Sequence, residues 1–179
     1  MTIKTLSNIL AGAALAAFVS LGAATAHAAD TATVSAPAAD ASHTLWSHWA
    51  ALWNGDYSQQ SIIAPDFRLH AVLLDGRPDT AIAGREAFIA WIKQARAPFQ
   101  AMQFTGMVGP LADGDYVAGR WRVTGVYRGG MPGAKVAPGT AVTFDGTDIL
   151  RVRGGQIVEY WLSSDTLSLL AQLKVSSGG

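Results

Sequence analysis

The 179-residue sequence contains no cysteine, which excludes disulfide bonds, thiolate metal sites and a cysteine nucleophile. Charged residues make up only 15% of the chain, and 13 basic residues balance 13 acidic ones. Without a basic cluster, the chain lacks the series of phosphate contacts that nucleic-acid binding needs. The motifs H-E-x-x-H, G-x-S-x-G and the P-loop are also missing, which argues against a zincin, a standard serine hydrolase and a nucleotide enzyme. The few histidines are not spaced as metal ligands, so no metal or other cofactor is expected.

The one long apolar run lies at the N-terminus, from Ile9 to Leu21, and an A-x-A cleavage signal follows at Ala26-His27-Ala28. This arrangement predicts a secretory signal peptide over residues 1–28, because the run is shorter than the roughly 20 residues of a membrane span. We therefore expect a periplasmic or secreted protein that is free of the membrane after signal cleavage. Residues 29–41 are predicted to be a flexible leader, and residues 42–175 a single folded domain.

Hydrophobic periodicity predicts helices first and strands afterwards. Trp46, Trp49, Ala50 and Trp53 recur at helical spacing and indicate a helix with one apolar face. The other predicted elements are a short helix (57–64), a strand (66–74), a helix (84–97), strands (101–108, 116–127, 140–152 and 156–163) and a final helix to residue 173. Residues 109–114 are predicted to turn, and the Gly/Pro-rich residues 129–139 form either a mobile lid or a long hairpin loop. This order indicates an α+β fold with helices on one face of a curved sheet.

The last two strands are predicted to form a hairpin around Gly154-Gly155, a dipeptide suited to a type I′ turn. Regular pairing outward from that turn would place Leu150 opposite Glu159 and Asp148 opposite Trp161. Because side chains alternate between the two faces of a strand, Asp148, Glu159 and Trp161 would then share one face. A slip of one residue would exchange the two faces.

Two neighbouring carboxylates in apolar surroundings have raised pKa values, which suits proton transfer near neutral pH. We therefore take Asp148, Glu159 and His70 as the catalytic candidates. The alternative is a surface pair, or a carboxylate held by an arginine such as Arg120 or Arg122. The candidates for ligand binding are Trp49, Trp53, Arg120, Trp161 and Asp165. Their alternatives are core indoles for the first two, a solvated strand face for Arg120 and a helix N-cap for Asp165.

Several short motifs, in order, carry a resemblance to a known family: Trp53-Asn54-Gly55-Asp56, Gly84-Arg85-Glu86-Ala87-Phe88, Asp148 to Arg151, and Gly155 to Trp161. Over about residues 45–173 the chain resembles the SnoaL-like (polyketide-cyclase-type) members of the nuclear-transport-factor-2-like superfamily. The resemblance implies a cone-shaped, half-open α+β barrel, in which a mainly antiparallel sheet wraps over N-terminal helices around a central pocket. It also implies a homodimer through the outer sheet surface, which the predicted outer face of Ile149, Val158, Tyr160 and Leu162 suits.

The family's chemistry transfers only in part. Its cyclases use an acid/base aspartate in the last strand, where this chain has Leu162, and Asp148 stands roughly where they carry a pocket histidine. We therefore expect an exported protein with a pocket for a small apolar ligand, with cofactor-free acid/base catalysis on a carbonyl- or hydroxyl-bearing ligand as its chemistry. The alternative is a non-catalytic periplasmic ligand-binding or dimerisation module. Convergence of Asp148, Glu159 and His70 would favour catalysis, whereas carboxylates neutralised by arginine would favour binding.

Overall fold

A computed structural model describes residues 36–175 of the chain. The predicted signal peptide and residues 29–35 of the predicted leader lie outside that range. Within it, no helix combines the length and apolar character needed to cross a membrane. The helices are α1 (Ala36–Trp53), α2 (Gly84–Arg96) and α3 (Thr166–Gln172), with short 3-10 helices at Tyr57–Ile62 and Asp79–Ala81. The strands are β1 (Ile63–His70), β2 (Phe99–Asp113), β3 (Tyr116–Tyr127), β4 (Ala141–Arg153) and β5 (Gln156–Ser164).

The five strands form one sheet in the order β1-β5-β4-β3-β2, in which β1 pairs parallel to β5 and the other pairs are antiparallel. The buried faces of α1 and α2 contribute to the same core as the inner face of the sheet. The predicted α+β class and the half-open barrel architecture are therefore confirmed. Between the helices and the sheet lies a core that is unusually rich in aromatic rings, since Trp49 alone contacts Trp53, Phe88 and Tyr160.

Glycines in the sheet make room for two of the indoles. A Cβ built on Gly119 would lie 2.5 Å from the ring of Trp46, and one on Gly146 would lie 2.1 Å from the ring of Trp121. Such distances are far below van der Waals contact, so a side chain at either position would displace an indole from the core. At its far end α1 is fixed to β2 by Asn54, whose side chain donates to the carbonyl of Phe104 and accepts from its N–H.

The structure corrects three predicted boundaries and decides one alternative. Strand β1 was predicted over residues 66–74 but spans Ile63–His70, and Val72 and Leu74 beyond its end are exposed. Helix α1 begins at Ala36, inside the predicted leader, because alanines favour helix and Pro37 is tolerated in a first turn. Strand β2 continues through Gly109-Pro110, which was predicted to turn, and register shifts there accommodate the proline. The Gly/Pro-rich connection between β3 and β4 is the long hairpin loop of the two alternatives, and it packs Met131, Ala134 and Val136 against the core.

The glycine–indole contacts generate a stability prediction. We expect Gly119→Ala to lower the free energy of unfolding by about 1–3 kcal/mol, because its methyl group must displace Trp46. The measurement is denaturant unfolding followed by tryptophan fluorescence. Gly125→Ala is the matched control on the same face of β3, since its Cβ would find ordinary contacts of 3.5 Å or longer. Equal effects of the two substitutions would contradict the role assigned to Gly119.

Candidate functional site

The β4–β5 hairpin turns as predicted, with Gly154 and Gly155 both at positive φ. Its register differs from the prediction, because a bulge shifts the pairing between Arg151 and Val152. Glu159 therefore pairs with Arg151, and Asp148 pairs with Leu162. The extra residue in β5 moves Glu159 and Trp161 to the opposite face from Asp148, so the predicted shared face of the two carboxylates is wrong. The same shift takes Tyr160 from the predicted outer face into the core, where it is fully buried.

Asp148 lies on the inner face of β4 with 0% of its surface exposed, the one buried charged side chain among the described residues. Its Oδ2 accepts a hydrogen bond of 2.8 Å from the indole Nε1 of Trp49 on α1. Its Oδ1 accepts another of 2.8 Å from the hydroxyl of Tyr160 on β5. The carboxyl group thus connects three elements of the fold through two donors.

Burial raises the pKa of Asp148 to about 7, against the opposing effect of the hydrogen bonds from Trp49 and Tyr160 and of the nearby indole of Trp121. The indole of Trp121 lies near enough to lower that pKa, although its Nε1 has no hydrogen-bond partner within residues 36–175. Burial and the neighbouring carboxylate also raise the pKa of the Tyr160 hydroxyl. Asp148 therefore carries a proton through mildly acidic solution and loses it near neutral pH.

Glu159 belongs to a separate cluster on the outer face of the sheet. One of its carboxylate oxygens lies 3.2 Å from Nε2 of His70, and the other accepts a 2.7 Å hydrogen bond from Arg151. Burial alone would raise the pKa of Glu159, but the hydrogen bonds from His70 and Arg151 outweigh it and the pKa falls below its ordinary value. The ring of His70 stacks on Trp161, with centroids 4.7 Å apart. The three catalytic candidates are thus divided: His70 and Glu159 lie together on the outer face of the sheet, and Asp148 lies alone in the core.

The other predicted ligand-binding residues have structural partners. Trp49 and Trp53 are core residues, as the alternative interpretation held. Arg120 and Arg122 both bond to Asp145 on the outer face and reach neither Asp148 nor Glu159. Asp165 is the N-cap of α3, where its carboxylate accepts from the N–H of Ser168.

A cleft of about 760 Å³ opens between the first half of α1 and the two turns at that end of the sheet, β2–β3 and β4–β5. Its apolar lining includes Leu45, Ile62, Val117 and Val152. The polar lining includes His43 and His48 from α1, and Asp113 and Asp115 from the β2–β3 turn. This volume lies within the range of small-molecule sites.

The cleft and Asp148 occupy successive layers of the same interior. Leu45 in the cleft wall precedes Trp49 by one helical turn, and Val117 pairs with Leu150, two residues along β4 from Asp148. None of the eight residues predicted for the site lines this cleft. Among residues 36–175, no group of three or more histidines and carboxylates is placed to hold a metal ion.

Sequence reasoning missed the cleft because its walls come from one helix and two distant turns, which share no motif. Asp113 and Asp115 appear in the sequence as ordinary turn residues around Gly114. Tyr160 was missed as the partner of Asp148 because the bulge in β5 leaves no clear signal in the hydrophobic pattern. Two adjacent buried residues, Ile157 and Val158, are the trace it does leave.

Comparisons with known proteins agree with this architecture. Residues 46–160 match the SnoaL-like domain family, and the chain belongs to that family. The solved structure of IdmH from Streptomyces antibioticus, a proposed polyketide cyclase, is 30% identical, with 75% of this chain and 99% of IdmH covered and a TM-score of 0.63.

Two more distant structures share the fold. A proposed polyketide cyclase from Bacillus cereus ATCC 10987 is 23% identical. The match covers 82% of this chain and 89% of that protein, with a TM-score of 0.66. A protein of ketosteroid-isomerase-like fold from Catenulispora acidiphila, solved with trimethylamine, is 23% identical. The match covers 74% of this chain and 93% of that protein, with a TM-score of 0.58. No curated protein is significantly similar to this chain in sequence.

The raised pKa of Asp148 generates a prediction about pH and stability. In the unfolded chain this group ionises near its ordinary pKa of 3.8, whereas in the folded chain its pKa is about 7. Between these values the folded state holds the extra proton, so its stability falls as pH rises and levels off above the folded pKa. We expect a loss of up to about 4 kcal/mol across that window, measured by urea unfolding at a series of pH values.

Asp148→Asn should remove this pH dependence, since the amide can accept from Trp49 and donate to Tyr160 without a charge. Asp145→Asn is the control, because that carboxylate lies on the outer face, is partly exposed, and has a pKa that is lowered, chiefly by the hydrogen bond from Arg122. A wild-type pH slope unchanged in Asp148→Asn would show that Asp148 does not titrate in this range.

Proposed function

We propose that this protein is an exported small-molecule-binding member of the SnoaL-like family, whose ligand occupies the cleft beside the first half of α1. The observation that carries the proposal is the cleft itself, a concave space of about 760 Å³ with an apolar floor and a few polar groups at its edge. Such sites are the default location for a small ligand. Export rests on the predicted signal peptide over residues 1–28.

Binding without chemistry is favoured over catalysis by the state of the acidic groups. Glu159 is neutralised by Arg151 and lies on the outer face, away from the cleft. Asp148 is fully buried and already accepts two hydrogen bonds, so a ligand in the cleft does not touch it. The conclusion is that Asp148 fixes the helix that forms the cleft wall.

Acid/base catalysis by Asp148 is the second candidate, and the raised pKa of this group favours it, because strongly perturbed carboxyl groups concentrate at active sites. It requires the interior to open toward Asp148. The test is native mass spectrometry of the exported form and of Asp148→Asn after exposure to the same metabolite extract. A bound species that is chemically altered with the wild type and unaltered with Asp148→Asn would establish catalysis, and identical species would exclude it.

The cleft assignment predicts that filling the space removes binding. Ala112 lines the cleft, is exposed, and pairs with Val117. We expect Ala112→Phe to weaken binding of the neutral fluorescent probe Nile red by about tenfold or more, because the new ring occupies the volume the probe needs. Ala141→Phe is the control, an exposed strand position outside the cleft. Unchanged Nile red affinity in Ala112→Phe would place the probe elsewhere and remove the support for this site.

We also propose that the protein forms a homodimer through the outer face of the sheet. One row of paired residues crosses all five strands on that face, namely Leu111, Ala118, Ile149, Trp161 and His70. Leu111 is 66% exposed and Ile149 is 41% exposed, and Tyr116 beside them is 46% exposed. A continuous apolar strip of this kind, bordered by arginines and carboxylates, is typical of interfaces between copies of one chain.

The dimer proposal predicts that a charge in the strip separates the copies. We expect wild-type protein at micromolar concentration to have the mass of two chains by light scattering, and Ile149→Lys to have the mass of one, because a buried unpaired charge is costly. Thr143→Lys, on the same face of β4 but outside the strip, is the control. A monomeric wild type would end this proposal and leave the cleft proposal intact.

A further inference from the structure

The indole of Trp121 is a buried polar group that the fold leaves without a partner. Trp121 is 4% exposed, and its Nε1 has no hydrogen-bond partner among the described residues. Trp53 has the other indole nitrogen of this kind, and its ring packs against Trp91 and Phe104. A buried N–H without a partner is costly, so native structures rarely keep one. Trp121 differs from Trp53 in its neighbour, which is the buried carboxyl group of Asp148.

The register of the sheet brings the ring of Trp121 toward Asp148. Trp121 pairs with Gly146 on β4, two residues before Asp148. Asp148 in turn pairs with Gly119 on β3, two residues before Trp121. Side chains related in this way are diagonal neighbours on one face of an antiparallel pair, within reach of a long aromatic ring. The ring lies over Gly146, where a built Cβ would come 2.1 Å from its Cζ2 and 2.7 Å from its Cε2, the carbon that carries Nε1.

The polar groups around Asp148 all offer it hydrogens. The indole of Trp49 donates to Oδ2 and the hydroxyl of Tyr160 donates to Oδ1. An ionised carboxylate has about four lone-pair positions, so it can accept further hydrogen bonds beyond these two. No other charged side chain among residues 36–175 is buried, so neither a cation nor a second acid competes for this carboxyl group.

We propose that Trp121 is a positioning residue for Asp148, whose Nε1–H donates a hydrogen bond to the ionised carboxylate and is released when the acid takes up a proton. In the protonated acid, one oxygen carries a hydrogen that needs an acceptor. Tyr160 is the neighbour that can receive it, because an indole nitrogen can only donate. The hydrogen bond between Asp148 and Tyr160 then reverses its direction, and the uncharged acid attracts a third donor less strongly. The inference concerns the core alone and does not depend on a ligand in the cleft.

A third donor suits the electrostatics of the buried acid. Burial raises the pKa of Asp148, whereas the indoles of Trp49 and Trp121 and the hydroxyl of Tyr160 lower it. Burial also raises the pKa of the Tyr160 hydroxyl, which therefore keeps its proton while Asp148 titrates. Because the bond from Trp121 forms with the ionised state, Trp121 helps to set the pH at which Asp148 loses its proton.

The first test compares the pH titration of Asp148 in the exported form with that in Trp121→Phe, which keeps an aromatic ring and loses the N–H. The measurement is the carboxyl carbon resonance of Asp148 by NMR, assigned by its loss in Asp148→Asn. We expect the midpoint to rise by about one pH unit in Trp121→Phe, because the ionised acid loses a donor. Trp53→Phe is the matched control, since it removes the other unpartnered indole N–H and leaves the donors Trp49 and Tyr160 in place.

The second test uses the wild type, so it decides the matter even where a substitution prevents folding. With isotope-labelled tryptophan, we expect the indole N–H resonance of Trp121 to move downfield with the same midpoint as Asp148, and that of Trp53 to stay fixed. A fixed Trp121 resonance would overturn the inference. An unchanged midpoint in Trp121→Phe would also overturn it, as would an equal rise in Trp53→Phe, because the midpoint would then report lost packing and not a lost donor.

Discussion

The interior of this protein depends on one carboxyl group that is entirely removed from water. Asp148 receives the indole N–H of Trp49 from α1 and the hydroxyl of Tyr160 from β5, so a single side chain holds the helix against two neighbouring strands. Burying such a group is costly unless its lone pairs are satisfied, and the raised pKa records the cost that remains. The aromatic rings packed around it, among them Phe88 and Trp53, are arranged about this contact.

The half-open barrel is filled at the end where β3 joins β4, and the cleft lies at the opposite end. The loop between β3 and β4 packs Met131 and Val136 against the core, and the N–H of Lys135 in that loop donates to the carbonyl of Leu173 beside α3. At the opposite end the first half of α1 and the two β-turns stand apart and leave the cleft. The fold is that of the SnoaL-like family, but a fold of this kind supports many activities, so the function of this chain has to be argued from its own side chains.

Much of the architecture could be predicted from the sequence, because periodic hydrophobicity reports which faces are buried. The tryptophans of α1, the strand β3 and the Gly154-Gly155 turn all follow from pattern and turn chemistry. The site could be predicted only in part. Asp148 is buried in apolar surroundings as expected, but its predicted pairing with Glu159 depended on a register that one extra residue in β5 altered. Contacts that join α1 to turns far along the chain, as at the cleft, leave no periodic signal at all.

The bulge in β5 also has a genetic consequence. The bulge allows both Ile157 and Tyr160 to lie on the core side although they are three positions apart in the sequence. One residue between them therefore falls outside the regular alternation of the strand. Loss of a single codon between Ile157 and Tyr160 would place them two positions apart, so strict alternation would return with both side chains still on the core side and Trp161 still on the outer face. A gene that lost this codon would therefore encode a shorter β5 in which Tyr160 still faces the buried acid, so the extra residue is not what brings these two groups together.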